Sequence, residues 1–529
     1  MDSLWFKDGI IYQVYAPAFF DTNADGIGDI PGLTEKLDYL DRLGFSTIWI
    51  RGLANPTADT PGRNLTNDGG DELHDFTTLV RQAHARRIRV IATLGPPSTT
   101  DDQVPGATHF AESITRNARL WLDCGVDGID LDLSSSIGIA LPSGPLIHDV
   151  LKRVRAAVNH AYAERIIVAA ARQRSENAAS YFGQGDECHL TFNSLLCAEL
   201  LLALQTEDRR WLVDFVRDQP HIPPQCQWAL FLPDHTELAV TARPELESAQ
   251  IHPNATDSRT RLNPRIKRRL APLLDNDRRR IELAYGLLFS FPGTPVVYYG
   301  DEIGMGDNIS LGDQGGMRTP MQWSDGPTAG FSGANTELVD GAIAAPINAD
   351  PVYGYRAVNV ESQERQPHSL LNWIRRVMKV RNEQQAFGRG TTEFVESRNS
   401  KILAYVRHHG SDRILVVANL AGRSQSVELP LGRYSGFLPV EMLGGIPFRR
   451  IGSRPYSLSF AAYGFYWFAL KARVTRDVPA IYGGRDGTSA VSGPDLAAGG
   501  TLTRMPGAIA PSAHAAAREA DVAFQRAAC

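Results

Sequence analysis

Three stretches of this chain bring carboxylates, amides or imidazoles together at spacings that could do chemistry. The first is Asp21-Thr22-Asn23-Ala24-Asp25-Gly26-Ile27-Gly28-Asp29. Side-chain oxygens at Asp21, Asn23, Asp25 and Asp29, with the backbone carbonyl of Ile27, are hard donors at alternating positions, and Gly26 permits a sharp turn. Such a loop suits Ca²⁺, and Mg²⁺ or Na⁺ would use the same oxygens. It is not an EF-hand, because Gly32 stands where the bidentate glutamate would be. The second stretch is Gly128-Ile129-Asp130-Leu131-Asp132-Leu133. On a strand, residues two apart face the same side, so Asp130 and Asp132 would sit together, either as a reworked acid pair or as two solvated strand-end aspartates. At roughly 6–7 Å and an effective dielectric near 20 their repulsion is about 2–3 kcal/mol, which raises one pKa of the pair. The third is Asp234-His235-Thr236-Glu237, directly after an apolar run. Two carboxylates and an imidazole there could move protons or hold a metal.

The elements that must position these residues follow from the hydrophobic pattern. Short β-branched runs at 10–15, 47–50, 89–94, 128–133, 165–170, 189–192, 227–232 and 295–299 alternate with amphipathic stretches at 33–43, 73–86, 110–122, 147–162, 195–216 and 278–289. Eight strand–helix units predict an α/β chain closed into a (β/α)8 TIM barrel, and no Gly-rich phosphate loop follows the first strand to favour an open doubly wound sheet. After a last helix over 369–382 the period changes. Strands at 391–395, 401–407, 413–419, 426–429, 437–441 and 457–470 predict a C-terminal antiparallel β-sandwich. The expected domains are 1–386 (barrel), 387–472 (β domain) and 473–529, a Gly/Ala/Ser/Pro-rich tail with too few large apolar residues to offset its ordering entropy.

Composition removes several function classes. With 529 residues, 43% hydrophobic, 21% charged and a formal net charge of −5, the chain reads as a globular protein with no polyanion-binding surface, so no nucleic acid is expected as partner. Five cysteines without CxxC or Cys/His spacing exclude a disulfide scaffold and a structural zinc site as readings. No secretory signal and no run long enough to span a bilayer is visible, which predicts a cytoplasmic protein without membrane attachment.

Several segments resemble the trehalose synthase branch of the α-amylase superfamily of retaining glycoside hydrolases and transglycosylases. They are WFKDGIIYQVY (5–15), DTNADGIGDIPGLTEKLDYLDRLG (21–44), SYFGQGDECH (180–189), RRLAPLLDNDRRRIELAYGLLFSFPGTPVVYYGDEIGMGDN (268–308), MRTPMQWS (317–324), DPVYGYRAVNVE (350–361) and YGFYWFAL (463–470). The resemblance implies a (β/α)8 barrel with a C-terminal β domain and interconversion of maltose and trehalose in one pocket. That chemistry needs three carboxylates at strand ends, a nucleophile, an acid/base and a clamp on the sugar hydroxyls. It places the nucleophile at Asp132, but the family arginine two residues earlier is Asp130 here. Ala170 stands at the acid/base position, and Glu176, six residues on, is the nearest carboxylate downstream. Thr236 stands at the clamp, beside a surviving His235 that in the family donates to bound sugar. The family tyrosine that stacks on the sugar falls within 62–68, where this chain has Arg63 and Asn64, and the loop after the third strand carries Pro97 and Ser98 in place of Asn and His. About eleven residues remain where the family inserts a lid domain, so that lid is expected to be missing. The 21–29 loop, in contrast, matches a family site that carries structural Ca²⁺.

Three functions follow as expectations. In the first, the chain is a catalytically inactive trehalose-synthase homologue. It then works as a binding or assembly partner, for instance of an active trehalose synthase homologue or a maltose-phosphorylating kinase (maltokinase), and holds α-glucosides weakly if at all. In the second, Asp130, Asp132, Asp234, His235 and Glu237 form a reworked acid/base or metal site. The third is residual maltose–trehalose interconversion, which needs a substitute acid that the sequence does not contain. Alanine neither protonates a leaving oxygen nor activates water, and that step is worth roughly 10²–10⁴ in rate.

Overall fold

Apolar residues run almost without interruption along each of the first strands, so both faces must be covered, and the structure covers them by closing the sheet on itself. This computed structural model describes residues 4–53, 72–94, 107–131, 145–169, 175–193, 195–233, 238–239, 261–262, 265–266, 268–311, 315–333 and 346–472. The strands are β1 (Ile11–Tyr15), β2 (Thr47–Arg51), β3 (Arg89–Leu94), β4 (Gly128–Leu131), β5 (Ile166–Ala169), β6 (Leu190–Asn193), β7 (Gln227–Phe231), β8 (Leu238–Ala239), β9 (Arg261–Leu262), β10 (Arg265–Ile266) and β11 (Thr294–Tyr298). Of these, β1-β11-β7-β6-β5-β4-β3-β2 form a closed barrel, and its neighbouring strands run parallel. Each predicted barrel strand is present to within two residues. The three two-residue strands β8, β9 and β10 pair as a small separate sheet that the sequence reading did not anticipate.

The alternation decides what fills the barrel. Ile11, Trp49, Ile91, Val168, Phe192 and Phe231 belong to one internal cluster, with Trp49 and Phe192 rings 5.2 Å apart and Phe192 and Phe231 rings 4.8 Å apart. Their chain neighbours Tyr12, Ile48, Ile50, Val90, Ala92 and Ile167 point outward into the larger core beneath the helices. Burying each such side chain contributes roughly 1.5–3 kcal/mol, so register in the barrel is strongly specified.

Helix starts are marked by side-chain caps. Asp29 caps Ile30–Glu35, Asp277 caps Arg278–Leu288, Asn359 caps Val360–Arg365 and Ser369 caps Leu370–Asn382, each accepting from backbone N–H groups of the first turn. Two expected helices are broken. The 33–43 pattern divides at Lys36 into Ile30–Glu35 and Leu37–Leu43. The 195–216 pattern divides into Leu196–Thr206 and Arg210–Arg217, because Glu207 adopts a left-handed conformation (φ 51°). No helix among the described residues is long and apolar enough to cross a membrane. Cys124, Cys188, Cys197 and Cys226 are buried free thiols.

Beyond the barrel, β12 (Thr391–Phe394), β13 (Ile402–His409), β14 (Asp412–Asn419), β15 (Gln425–Leu429), β16 (Leu438–Glu441), β17 (Tyr456–Phe460) and β18 (Phe465–Lys471) make the C-terminal antiparallel domain. A five-stranded sheet, β12-β13-β14-β18-β16, faces a two-stranded β15-β17 ribbon across a second core. The expected single strand over 457–470 is two strands. Tyr463 at φ 56° and Gly464 turn the chain between them, so β17 joins the ribbon and β18 the larger sheet. All of these elements lie within one unit, Met1–Arg473.

Candidate functional site

Barrel strands deliver their last residues to one rim, and that rim is where the sequence reading expects this chain's chemistry. Strand β4 ends at Leu131, β5 at Ala169 and β7 at Phe231. Asp132 and Ala170 are therefore the residues that directly follow two strand ends. Asp132, Ala170, Asp234, His235, Thr236, Glu237, Arg63, Asn64, Pro97, Ser98 and the side chain of Glu176 lie outside the described residues. The connection from β3 to the helix Ala107–Asp123 is residues 95–106, likewise outside them. What the structure describes is the layer just beneath the rim.

Asp130 is the centre of that layer, and for this residue the reading of a solvated strand-end aspartate is corrected; Asp132 lies outside the described residues. The Asp130 side chain is fully buried. Oδ2 lies 3.4 Å from Arg51 Nη1 and accepts from Thr93 Oγ1 at 2.9 Å. Thr93 Oγ1 in turn accepts from Trp49 Nε1 at 3.0 Å. Arg51 at the end of β2 brings a cation to Asp130, a partner that the sequence reading did not anticipate. The signal was present in the alternation Thr47, Trp49, Arg51, which turns Arg51 toward the same interior as Trp49. It was missed because β2 and β4 become neighbours of one strand, β3, only after the barrel is ordered.

Around this group the rim is braced by residues of the resemblance segments. Arg318 lies 4.7 Å from the Tyr15 ring at the end of β1. Arg269 is wholly buried and donates to Tyr299 O (2.7 Å), Met317 O (2.9 Å) and Asp301 Oδ1 (3.0 Å). Burial alone would lower its pKa, but Asp301 and the tyrosines hold it above the ordinary arginine value. Outside the barrel wall, Glu302 accepts from Tyr12 Oη and Tyr39 Oη, both at 2.8 Å, and burial pushes its carboxyl up.

The 180–189 segment serves the opposite end of the barrel. His148 Nδ1 meets Glu187 Oε2 at 2.7 Å, and burial pushes Glu187 up against the lowering effect of His148. His189 Nδ1 accepts from Ile167 N and from Arg155 Nη1, each at 2.9 Å. Burial, then the Arg155 charge, hold His189 well below the usual histidine value, so it is a neutral acceptor. These groups position β5 against β6; they are scaffold.

The oxygen-rich loop is well defined. Asp21 accepts from Ala24 N and Gly26 N (both 2.8 Å), Asn23 Oδ1 from Asp25 N (3.0 Å), and Asp25 Oδ1 from Ile27 N (2.8 Å). Asp29 accepts from Gly32 N (2.6 Å) and from Thr22 N (3.0 Å) and Oγ1 (2.8 Å). Gly26 has φ 85°, and a Cβ on Gly28 would lie 2.2 Å from Ala16 O, so both glycines are required by the path of the chain. Among the described residues no three His, Cys, Asp or Glu side chains converge as metal ligands. A cation here would draw on the Asn23 amide and Ile27 carbonyl as well as the carboxylates. Each oxygen bonded to one N–H retains a second lone pair, so the donor chemistry fits a hard cation.

Comparison with known proteins agrees with this architecture. Residues 13–102 and 107–390 match the α-amylase catalytic domain, and residues 392–467 match the maltogenic amylase C-terminal domain. The trehalose synthase/amylase TreS of Mycolicibacterium smegmatis is 37% identical, with 89% of this chain and 93% of that protein covered. A trehalose synthase of a Pimelobacter species is 35% identical over 90% of this chain and 98% of its own length. The Thermus thermophilus trehalose synthase is 36% identical over 89% of this chain and 56% of its own length. Among solved structures, the trehalulose synthase MutB of Pseudomonas mesoacidophila superposes with a TM-score of 0.64 at 18% identity, covering 88% of this chain and 99% of that one. An α-amylase from H. orenii superposes with 0.62 at 21% identity, covering 88% and 100%. At these identities the structural likeness speaks for the fold.

Proposed function

The chain belongs to the α-amylase family, and from that premise we propose that it is a catalytically silent relative of the trehalose synthases, working as a binding or assembly partner in maltose, trehalose or α-glucan metabolism. The observation that carries this reading is Ala170. It directly follows β5, at the position where the resemblance requires a proton donor, and a methyl group has no proton to give. Thr236 in place of the clamp carboxylate and Asp130 in place of the arginine beside the nucleophile position point the same way. His235 is then a vestige of sugar binding. The scaffold segments remain clean while the rim has changed, which fits a protein kept for its surface. Partners of the expected chemistry are an active trehalose synthase homologue or a maltose-phosphorylating kinase. The 21–29 loop would hold a structural Ca²⁺ through Asp21, Asn23, Asp25, Asp29 and the Ile27 carbonyl, fixing the first barrel unit without entering any reaction.

Prolonged incubation of the purified protein with maltose or trehalose, followed by sugar chromatography, tests the central claim. No interconversion and no glucose above the protein-free control is the expected result. Turnover that disappears in Asp132→Asn would overturn it.

A further inference from the structure

We propose that a small monovalent anion, of the size and charge of chloride, is buried between Arg381 and Arg407 in the seam that joins the barrel to the β domain. Both side chains are fully buried, and they hold neighbouring stretches of chain. Arg381, near the end of the helix Leu370–Asn382, donates from Nη1 to Asp8 O at 2.6 Å. Arg407, on β13, donates from Nε to Ala386 O (3.2 Å), from Nη2 to Phe387 O (2.6 Å) and from Nη1 to Thr392 Oγ1. The short helix Gln385–Arg389 that carries those carbonyls lies directly on Asp8, since a Cβ on Gly388 would fall 3.2 Å from Asp8 Cα. Gln227, the first residue of β7, donates to Gly388 O at 2.9 Å, which puts the place at the opposite end of the barrel from the rim.

Among the described residues no carboxylate bonds either guanidinium. Asp8, whose charge acts on Arg381, has both carboxylate oxygens bonded by Arg389. Nε and Nη2 of Arg381 are buried without an acceptor, and so is Nε1 of Trp467, whose ring packs on Phe387 at 4.7 Å. A guanidinium keeps its proton, and a buried charge persists only where an opposite charge or a full set of bonds meets it. The seam's own residues supply neither to Arg381. Burial, then the charge of Arg407, push Arg381 down to about 9, and burial pushes Arg407 down to about 10. The unmatched groups are all donors, so the occupant is an acceptor, and a negative one, because water would leave both charges uncompensated. None of these atoms has exposed surface, which leaves no room for phosphate, sulfate or a carboxylate ligand and selects a single-atom anion.

Full-length protein purified and crystallised with bromide in place of chloride reads the site directly. A bromide anomalous peak beside Nε and Nη2 of Arg381 is the expected result. Density there without anomalous signal, or no density, overturns the proposal. Thermal melting reads the same ion in solution. At constant ionic strength wild type should melt about 3 °C higher in sodium chloride than in sodium methanesulfonate, whose anion is too large to enter. Arg381→Met removes one of the two charges together with its unmatched donors, so its melting temperature should be the same in both salts. Equal melts of wild type in the two salts, or a chloride effect of undiminished size in Arg381→Met, overturn the proposal. Should Arg381→Met fail to accumulate, the bromide peak in wild type still decides.

Discussion

Asp127 shows what one carboxylate does at the other end of the barrel. It precedes β4, is fully buried, and meets His84 Nε2 at 2.7 Å, Arg89 Nη1 at 2.6 Å, Val90 N at 2.9 Å and Arg165 Nη1 at 3.4 Å. Burial alone would raise its pKa, but the bonds from His84, Arg89 and Val90 outweigh it and hold the carboxyl below the ordinary aspartate range. A depressed folded-state pKa contributes stability above the unfolded value, near 4, that is lost as pH falls through the folded value. Asp127→Asn should therefore destabilise by roughly 2 kcal/mol at neutral pH, the partners being about a third exposed and partly screened. The variant should also lose less stability than wild type as the pH falls below about 4 in an acid titration followed by circular dichroism. Parallel acid limbs would show that folding does not lower the pKa of this carboxyl. The contrast with Asp130 marks the limit of reading by neighbours along the chain. The sequence reading weighed Asp130 only against its near neighbours along the strand, whereas Arg51 is 79 residues away and visible only once β2, β3 and β4 are side by side.

Element by element, strands were legible because short, near-continuous β-branched runs bounded by polar turns fit a strand buried on both faces, and eight of them alternating with amphipathic stretches fit a parallel barrel. The errors fall where a distant group takes hold of the backbone or a side chain. Helix 196–206 stops where Glu207 turns left-handed and gives its carboxylate to Lys401 and Gly422 N, both in the C-terminal domain. The break at Tyr463 is similar, since Tyr463 N bonds Ala421 O across two strands. Neither partner is local, so neither break has a local signal. The 21–29 loop is the opposite case, legible because all its donors lie within nine positions and form its turns among themselves. A cation bound there would add stability by mass action. Chelator should lower the melting temperature of wild type by a few degrees, added Ca²⁺ should restore it, and Asp25→Ala should melt lower and ignore both. Identical melts of wild type with chelator and with Ca²⁺ would remove the cation from the account.

For the molecule as a whole, the question is whether barrel and β domain are separate folding units. Their cores are not separate: Leu403, Tyr405, Ile414, Val416, Ala418 and Trp467 of the five-stranded sheet belong to the same apolar cluster as the barrel's outer layer. Trp467 meets Phe387 at 4.7 Å, and Tyr405 stacks on Phe291 at 5.5 Å. Polar groups close the seam. Arg209 donates to Ser397 Oγ (2.7 Å) and to the carbonyls of Ser397, Asn399 and Ile402, while buried Arg407 donates to Phe387 O (2.6 Å) and Ala386 O (3.2 Å). Splitting here would expose a large apolar sheet face and leave guanidiniums without their carbonyls, so neither half has a reason to persist alone. Calorimetry should accordingly show one transition for the two together. Gly286 offers the decisive perturbation, because it lies in the barrel helix Arg278–Leu288, and a Cβ there would fall 2.6 Å from the Phe465 ring of β18. Gly286→Val forces that contact apart at a cost of about 1–3 kcal/mol. In a coupled molecule it shifts the single transition downward without splitting it. Two separated transitions, with only the lower one moved by the substitution, would mean that the β domain folds on its own and that the shared core is not what holds it in place.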